Sequence, residues 1–199
     1  LDNTNLFDWI EPFPEVVQQK FNNEIFSKQI ESDLIRLSLL KKYGGLWLDA
    51  TVFVSDIILD KLFEAPFFTV VRKEARKSDI SGEISPFVLG RKKDDKSSQR
   101  LFDFSQELLI DYIKSEDDLM DYLLIENILK IGINSDDNLN KIVNTFFNNK
   151  KNILGLEKLL NQDYDAKVLC SSLKENLFSK LNFHANHVRE GNCRQLTNY

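Results

Sequence analysis

The apolar positions along the chain follow two periods. Val16, Val17 and Phe21, after Pro12 and Pro14, fall at helical intervals, and Leu101, Phe104, Leu108 and Tyr112 recur at three and four, so both stretches predict amphipathic helices. Between them, residues 32–54 combine both periods in one run, and the rest of the chain is organised around it. Ser32 suits a helix N-cap, Asp33 a first turn, and Lys41 and Lys42 a last turn, where the helix dipole favours cations. Gly44 can end that helix in the left-handed region, and Gly45 permits a tight reversal. From Leu46 to Val54 apolar residues alternate with Trp47, Asp49, Thr51 and Phe53, which predicts one strand interrupted by one acid.

The remaining elements follow from the same patterns. Leu6 to Ile10 reads as a short helical or strand-like anchor, with Phe7 and Trp9 as core or interface aromatics. Ser55–Leu62 reads as a turn and a short helix, and Phe67–Arg72 and Ile84–Gly90 read as strands. The polar stretch 72–83 reads as a surface loop, with an acceptor-binding loop as its functional alternative. A second helix follows the first across 97–133, and the stretches 139–147, 153–161 and 165–173 read as further helical pieces separated by Asn- and Lys-rich turns. No repeat and no linker divides the chain. The pattern predicts one domain over 1–199, with a core at 27–133 and a helical appendage at 134–199.

Asp49 is the chemically distinctive position. A carboxylate among Trp47, Leu48, Val52 and Phe53 is costly to bury without a partner, which places it where the strand leaves the sheet. In open α/β sheets ligands gather at such strand ends. Asp33 and Arg36 are three apart on the preceding helix, so they share a face and present an acid beside a guanidinium fork.

This run, Ser32-Asp33-x-x-Arg36-x-x-x-Leu40-x-x-x-Gly44-Gly45-x-Trp47-x-Asp49-x-Thr51, resembles the sugar-nucleotide-binding core of the capsular polysaccharide synthesis type of glycosyltransferase. That type is related to the DXD-containing yeast mannosyltransferases and to the clostridial glucosylating toxins. The resemblance implies an α/β GT-A fold, Rossmann-like, with a mixed sheet flanked by helices and a helical C-terminal part. Its first βα unit is missing from these residues. It also implies a UDP- or GDP-linked sugar donor, retention of anomeric configuration, and a divalent metal, Mn2+ or Mg2+, on the diphosphate. By the same resemblance Ser32, Asp33, Arg36, Gly45, Trp47, Asp49, Ala50 and Thr51 would bind the donor, and Asp33, Arg36 and Asp49 would be catalytic. Thr51 stands where the wider family has the second metal-binding Asp. The implied metal ligands are Asp49, Thr51 and a late histidine, His184.

Two more segments carry the likeness. Asp121-Tyr122-Leu123-Leu124-Ile125-Glu126 is similar to an acid-bearing stretch of the same type. Asp121 and Glu126 lie five apart, a rotation of about 500°, so they do not share a face, and Asp121 is the candidate for the sugar site. Its plain alternative is an acid favoured by the helix dipole. Lys180-Leu181-Asn182-Phe183-His184 resembles the close of the family, and His184 and His187 are either a metal ligand and its neighbour or a polar tail.

Composition narrows the partners. A formal charge of −5 with 29% charged residues argues against generic nucleic-acid binding. No run reaches a membrane-spanning length and no signal peptide opens the sequence, and Cys170 and Cys193 lack zinc spacing and read as reduced thiols. The expectation is a cytoplasmic protein, with the Arg91–Lys96 charge run as either a solvated face or a peripheral contact with the inner face of the plasma membrane. The expected activity is transfer of a sugar from the nucleotide donor to a saccharide or lipid-linked saccharide of a capsule or other surface polysaccharide. The alternatives are a toxin-like transferase acting on protein and a non-catalytic nucleotide-sugar-binding scaffold. All require Asp33, Arg36 and Asp49 to converge.

Overall fold

A computed structural model describes residues 5–56, 60–72, 84–148, 151–160 and 162–182. In chain order they form α1 (Leu6–Trp9), α2 (Glu15–Asn22), α3 (Lys28–Tyr43), β1 (Gly45–Leu48), β2 (Val52–Val54), α4 (Lys61–Glu64), β3 (Phe67–Thr69) and β4 (Val88–Arg91). There follow α5 (Lys96–Ser115), α6 (Leu124–Asn134), α7 (Asp137–Asn148), α8 (Gly155–Leu159), α9 (Ala166–Glu175) and β5 (Phe178–Lys180).

Helix α3 begins earlier than its sequence suggests. Ser27, not Ser32, is the N-cap, and Ser32 lies half-buried inside the helix. The buried stripe explains this: Ile30 continues the spacing of Leu34, Leu37 and Leu40 backwards past Ser32, and burying it extends the helix. Across that stripe α5 contributes Leu101, Phe102, Leu109 and Ile113, and α6 contributes Ile125, Ile128, Leu129 and Ile133. Each such side chain, fully buried, contributes about 1.5–3 kcal/mol. The helix stops at Gly44, whose φ is 68° and where an added Cβ would stand 2.8 Å from the Lys93 backbone.

The sheets differ from the expected GT-A arrangement. Among the described strands every ladder is antiparallel: a three-stranded sheet of order β1-β4-β3, with Gly45 opposite Arg91 and Phe67 also opposite Arg91, and a separate β2-β5 pair, with Val52 opposite Lys180. The expected mixed Rossmann-like sheet is therefore corrected to two small antiparallel ones within an α/β chain. The single strand expected over 46–54 is also corrected. It breaks at Asp49, where the Val52 amide donates to the Asp49 carbonyl at 2.9 Å, and the chain passes from one sheet to the other. The segment expected to be wholly helical supplies β5. Val70, Val88, Ile153 and Phe178 form a second apolar cluster linking the two sheets.

Arg91, expected to head a solvated charge run, is fully buried. Its guanidinium donates to the Lys41 carbonyl at 3.2 Å, to Gln99 Oε1 at 2.6 Å and to the Lys93 carbonyl, tying the end of α3 to β4 and to the start of α5. A charge in that place is stabilised because carbonyls at a helix end and an amide oxygen replace its water. Asp95 then caps α5, accepting from the Ser98 amide at 2.8 Å. With the C-terminal end of α3 fixed, the side chains on its second and third turns have a defined place.

Candidate functional site

Asp33, Arg36 and Asp49 converge. The second and third turns of α3 present Asp33 and Arg36 side by side, with Arg36 Nη1 3.1 Å from Asp33 Oδ1, while Nη2 reaches Asp49 Oδ1 at 3.1 Å across the turn after β1. Trp47 completes the arrangement from β1: its Nε1–H donates to the same Asp49 oxygen at 2.8 Å, and the Arg36 guanidinium lies 5.4 Å from its ring centroid. Gly45 opens β1 at φ 88° with open space where a Cβ would stand, so its role is conformational. Ala50 is exposed and Thr51 half-buried in the turn between the sheets, and Ser32 lies half-buried on α3.

The fifth member is Lys180. Strand β5 carries it to Asp49 Oδ2 at 3.1 Å and lets it donate to Thr51 Oγ1, with the Phe87 ring centroid 5.0 Å beneath the ammonium. Asp49 thus accepts from α3 and β1 at one oxygen and from β5 at the other. Exposure grades outward through the cluster: the Asp33 and Arg36 side chains are 3% and 6% exposed, against 25% for Asp49 and 26% for Lys180.

The electrostatics follow that gradient. Burial pushes the Asp33 carboxyl up to about 6; the Arg36 charge opposes the rise, and the Asp49 and Glu126 carboxylates add to it. Burial works the same way on Asp49, but the Arg36 charge, the Trp47 hydrogen bond and the Lys180 charge outweigh it, so Asp49 lies below its ordinary value. Two adjacent acids are therefore driven apart, the inner toward the proton and the outer away from it. Arg36 Nε is buried without a hydrogen-bond partner.

The two acids of the 121–126 stretch stand in different surroundings. The Asp121 carboxylate accepts from the Leu123 amide at 2.9 Å and from Asn127 Nδ2 at 3.1 Å, holding the turn before α6. Glu126 is buried on α6, and its charge is felt at Asp33. Lys180 opens the segment that resembles the close of the family, where the site role was expected of His184 instead. The signal was the first lysine of the Lys180-Leu181-Asn182 close, beside which the two histidines drew attention. His184, His187 and Cys193 lie outside the described residues, while Cys170 is exposed and free.

The expected metal set can be weighed against these contacts. Both Asp49 oxygens face protein cations and Thr51 Oγ1 is taken by Lys180. Among the described residues no three His, Cys, Asp or Glu side chains are grouped to hold a metal ion. As placed, the Asp49–Thr51 pair does not fit a divalent cation. What the arrangement can do is present fixed positive charge and one remaining carboxylate lone pair to a polar ligand, since an ionised carboxylate has about four acceptor sites.

Among the described residues no helix is long and apolar enough to cross a membrane. No curated protein and no solved structure matches the chain. A family model described as capsular polysaccharide synthesis protein matches residues 1–197, nearly the whole sequence. The chain belongs to the capsular polysaccharide synthesis protein family.

Proposed function

We propose that this chain transfers a sugar from a UDP- or GDP-linked donor to a saccharide or lipid-linked saccharide acceptor during capsule assembly. Family membership supports the role in capsule biosynthesis. The observation that carries the finer reading is the convergence of Asp33 and Arg36 from α3, Asp49 from the sheet-to-sheet turn and Lys180 from β5. Residues with no common structural duty in the sequence meet where the backbone changes sheets.

The chemistry such a transfer needs matches the charges on offer. The bond from the anomeric carbon to the diphosphate oxygen breaks with its electron pair leaving on the phosphate. The acceptor hydroxyl forms the new bond, and one proton is released. Negative charge grows on the diphosphate and positive charge on the sugar carbon, so catalysis requires fixed cations at the former. Arg36 and Lys180 are held cations, immobilised by Asp33, Asp49 and Thr51, and spend little reorganisation when the charge develops. Asp49 keeps an acceptor site for a sugar or ribose hydroxyl.

The test is release of nucleoside diphosphate from a panel of UDP- and GDP-sugars, with and without a saccharide acceptor. At least one donor is expected to be hydrolysed slowly and faster with acceptor, and Asp49→Asn, folded by circular dichroism, is expected to lose about 10²-fold or more. Binding of a donor without turnover would leave a scaffold, and a protein labelled in lysate would make the acceptor a polypeptide. No binding and no turnover across the panel would end the transferase reading.

A further inference from the structure

We infer that Lys180 is the cation that receives the donor's diphosphate, standing where a divalent ion would otherwise bridge Asp49 and Thr51. The inference rests on the nucleotide-sugar reading above and says which group meets the phosphates. Lys180 Nζ lies 3.1 Å from Asp49 Oδ2 and donates to Thr51 Oγ1, so it occupies the space between the two side chains from which a bridging ion would take its oxygens. A divalent ion bound to those oxygens sits about 2.0–2.2 Å from each, and at that range an ammonium bonded to the same atoms would be strongly repelled. One of the two must leave, and the fold holds the lysine in place.

Three features hold it. Lys180 is in register with Val52, the first residue of β2, which sets its side chain beside Thr51. The Leu181 amide donates to the Thr51 carbonyl at 2.9 Å and the Lys180 amide to the Ile153 carbonyl at 2.8 Å, fixing the backbone on both sides. The Phe87 ring, 5.0 Å from the ammonium, supports it from below.

The ammonium also has capacity to spare. It carries three N–H donors, of which Asp49 and Thr51 take two, and its side chain is 26% exposed. The third donor is left for an incoming oxygen. A lysine ammonium is a compact point charge suited to phosphate, and Arg36 behind Asp49 adds a second positive charge that solvent barely reaches. Together they carry the charge of one divalent ion while leaving the carboxylate in place to orient both.

Calorimetric titration of UDP and of GDP into the full chain tests this, in EDTA and again with Mn2+. Wild type is expected to bind one of them in EDTA, with affinity changed less than about threefold by Mn2+. Lys180→Met is expected to weaken that binding by about tenfold or more in EDTA, and Lys180→Arg to stay within about threefold of wild type. Because Lys180→Met removes a partner of Asp49, its melting is followed alongside, and the wild-type titration in EDTA stands as an independent arm if that variant fails to fold. Binding that needs Mn2+, or Lys180→Met binding as tightly as wild type, overturns the role of Lys180 and leaves the nucleotide-sugar reading standing. Equal loss in the arginine and methionine variants overturns it too, since charge is then not what the phosphate meets. Absence of UDP and GDP binding to wild type in both buffers overturns the inference together with the reading beneath it.

Discussion

Replacing Arg36 by methionine asks whether the guanidinium is there to hold a buried charge. Arg36 bridges Asp33 and Asp49 at 3.1 Å each and lies over Trp47. Asp33 titrates at about 6 in the folded chain against 3.8 when exposed, so the folded state holds its proton more tightly and stability falls as pH rises through that window. At pH 7 keeping Asp33 ionised costs about 3 kcal/mol, at about 1.36 kcal/mol per tenfold change in proton affinity. Without Arg36 the carboxyl holds its proton more tightly still, and the cost at pH 7 stops at about 4 kcal/mol, because protonation is then the lower-energy route. Loss of the Asp33 pair therefore adds about 1 kcal/mol at pH 7 and almost nothing at pH 5, where both proteins keep Asp33 protonated. Lost stacking on Trp47 and lost stem packing add about 1–2 kcal/mol at either pH. Arg36 is also the strongest influence lowering Asp49, so Asp49 rises in the variant as well, costing at least as much stability at pH 7 as at pH 5 and leaving the sign of the comparison unchanged. Urea unfolding of wild type and Arg36→Met should show a deficit of about 2–3 kcal/mol at pH 7 that shrinks by about 1 kcal/mol or more at pH 5. A deficit that is flat or larger at pH 5 would refute the pairing argument.

Three smaller perturbations probe the same cluster and its supports. Trp47→Phe keeps a ring under Arg36 but removes the 2.8 Å donor to Asp49, and should raise the Asp49 pKa in an NMR carboxyl titration and cost about 1 kcal/mol; an unmoved titration would deny the bond. Glu126→Gln removes one of the charges raising Asp33, so Asp33 should titrate below about 6 and the stability lost between pH 4 and 6 should shrink. Gly44→Ala forces φ 68° on an alanine and a Cβ to 2.8 Å from the Lys93 backbone, and should lower thermal stability by more than about 1 kcal/mol; an unchanged Tm would show that the turn yields.

The local half of this site was legible and the long-range half was not. Asp33, Arg36, Trp47 and Asp49 lie on one helix, one turn and one strand, so period and spacing alone bring them near each other. Lys180 depends on β5, three residues in length, too short for alternation to register, and on a partner strand far away in sequence. Glu126 and Asp121 could not be ranked by period, because which of them turns inward depends on where α6 begins. The antiparallel pairing of β1 with β4 was likewise invisible: a resemblance in one helix, turn and strand carries no information on which later strand docks beside it, or in what direction. Ser27 and Ser32 are equivalent as caps by residue type, and only the burial of Ile30 decides between them.

The break at Asp49 shows why site and fold are hard to separate here. A continuous strand over 46–54 would have satisfied local propensity, yet its acid would then have sat in a ladder between apolar neighbours with no cation within reach. By turning at Asp49 the chain exposes that carboxylate at the seam of two sheets, where α3, β1 and β5 each supply it a donor. The seam consequently closes around an anion, and that anion in turn fixes one buried cation, Arg36, and one partly exposed cation, Lys180. A ligand that engages Lys180 through its third donor finds that donor oriented only when the seam is formed, so binding and folding stability are linked through Asp49. A larger or better-packed residue at position 49 could join the sheets without an acid, but it would leave Arg36 with Asp33 alone and Lys180 with Thr51 alone. Held below its ordinary value, Asp49 contributes stability when ionised, and the same carboxylate orients Arg36 and Lys180, so one residue serves both the seam and the candidate site.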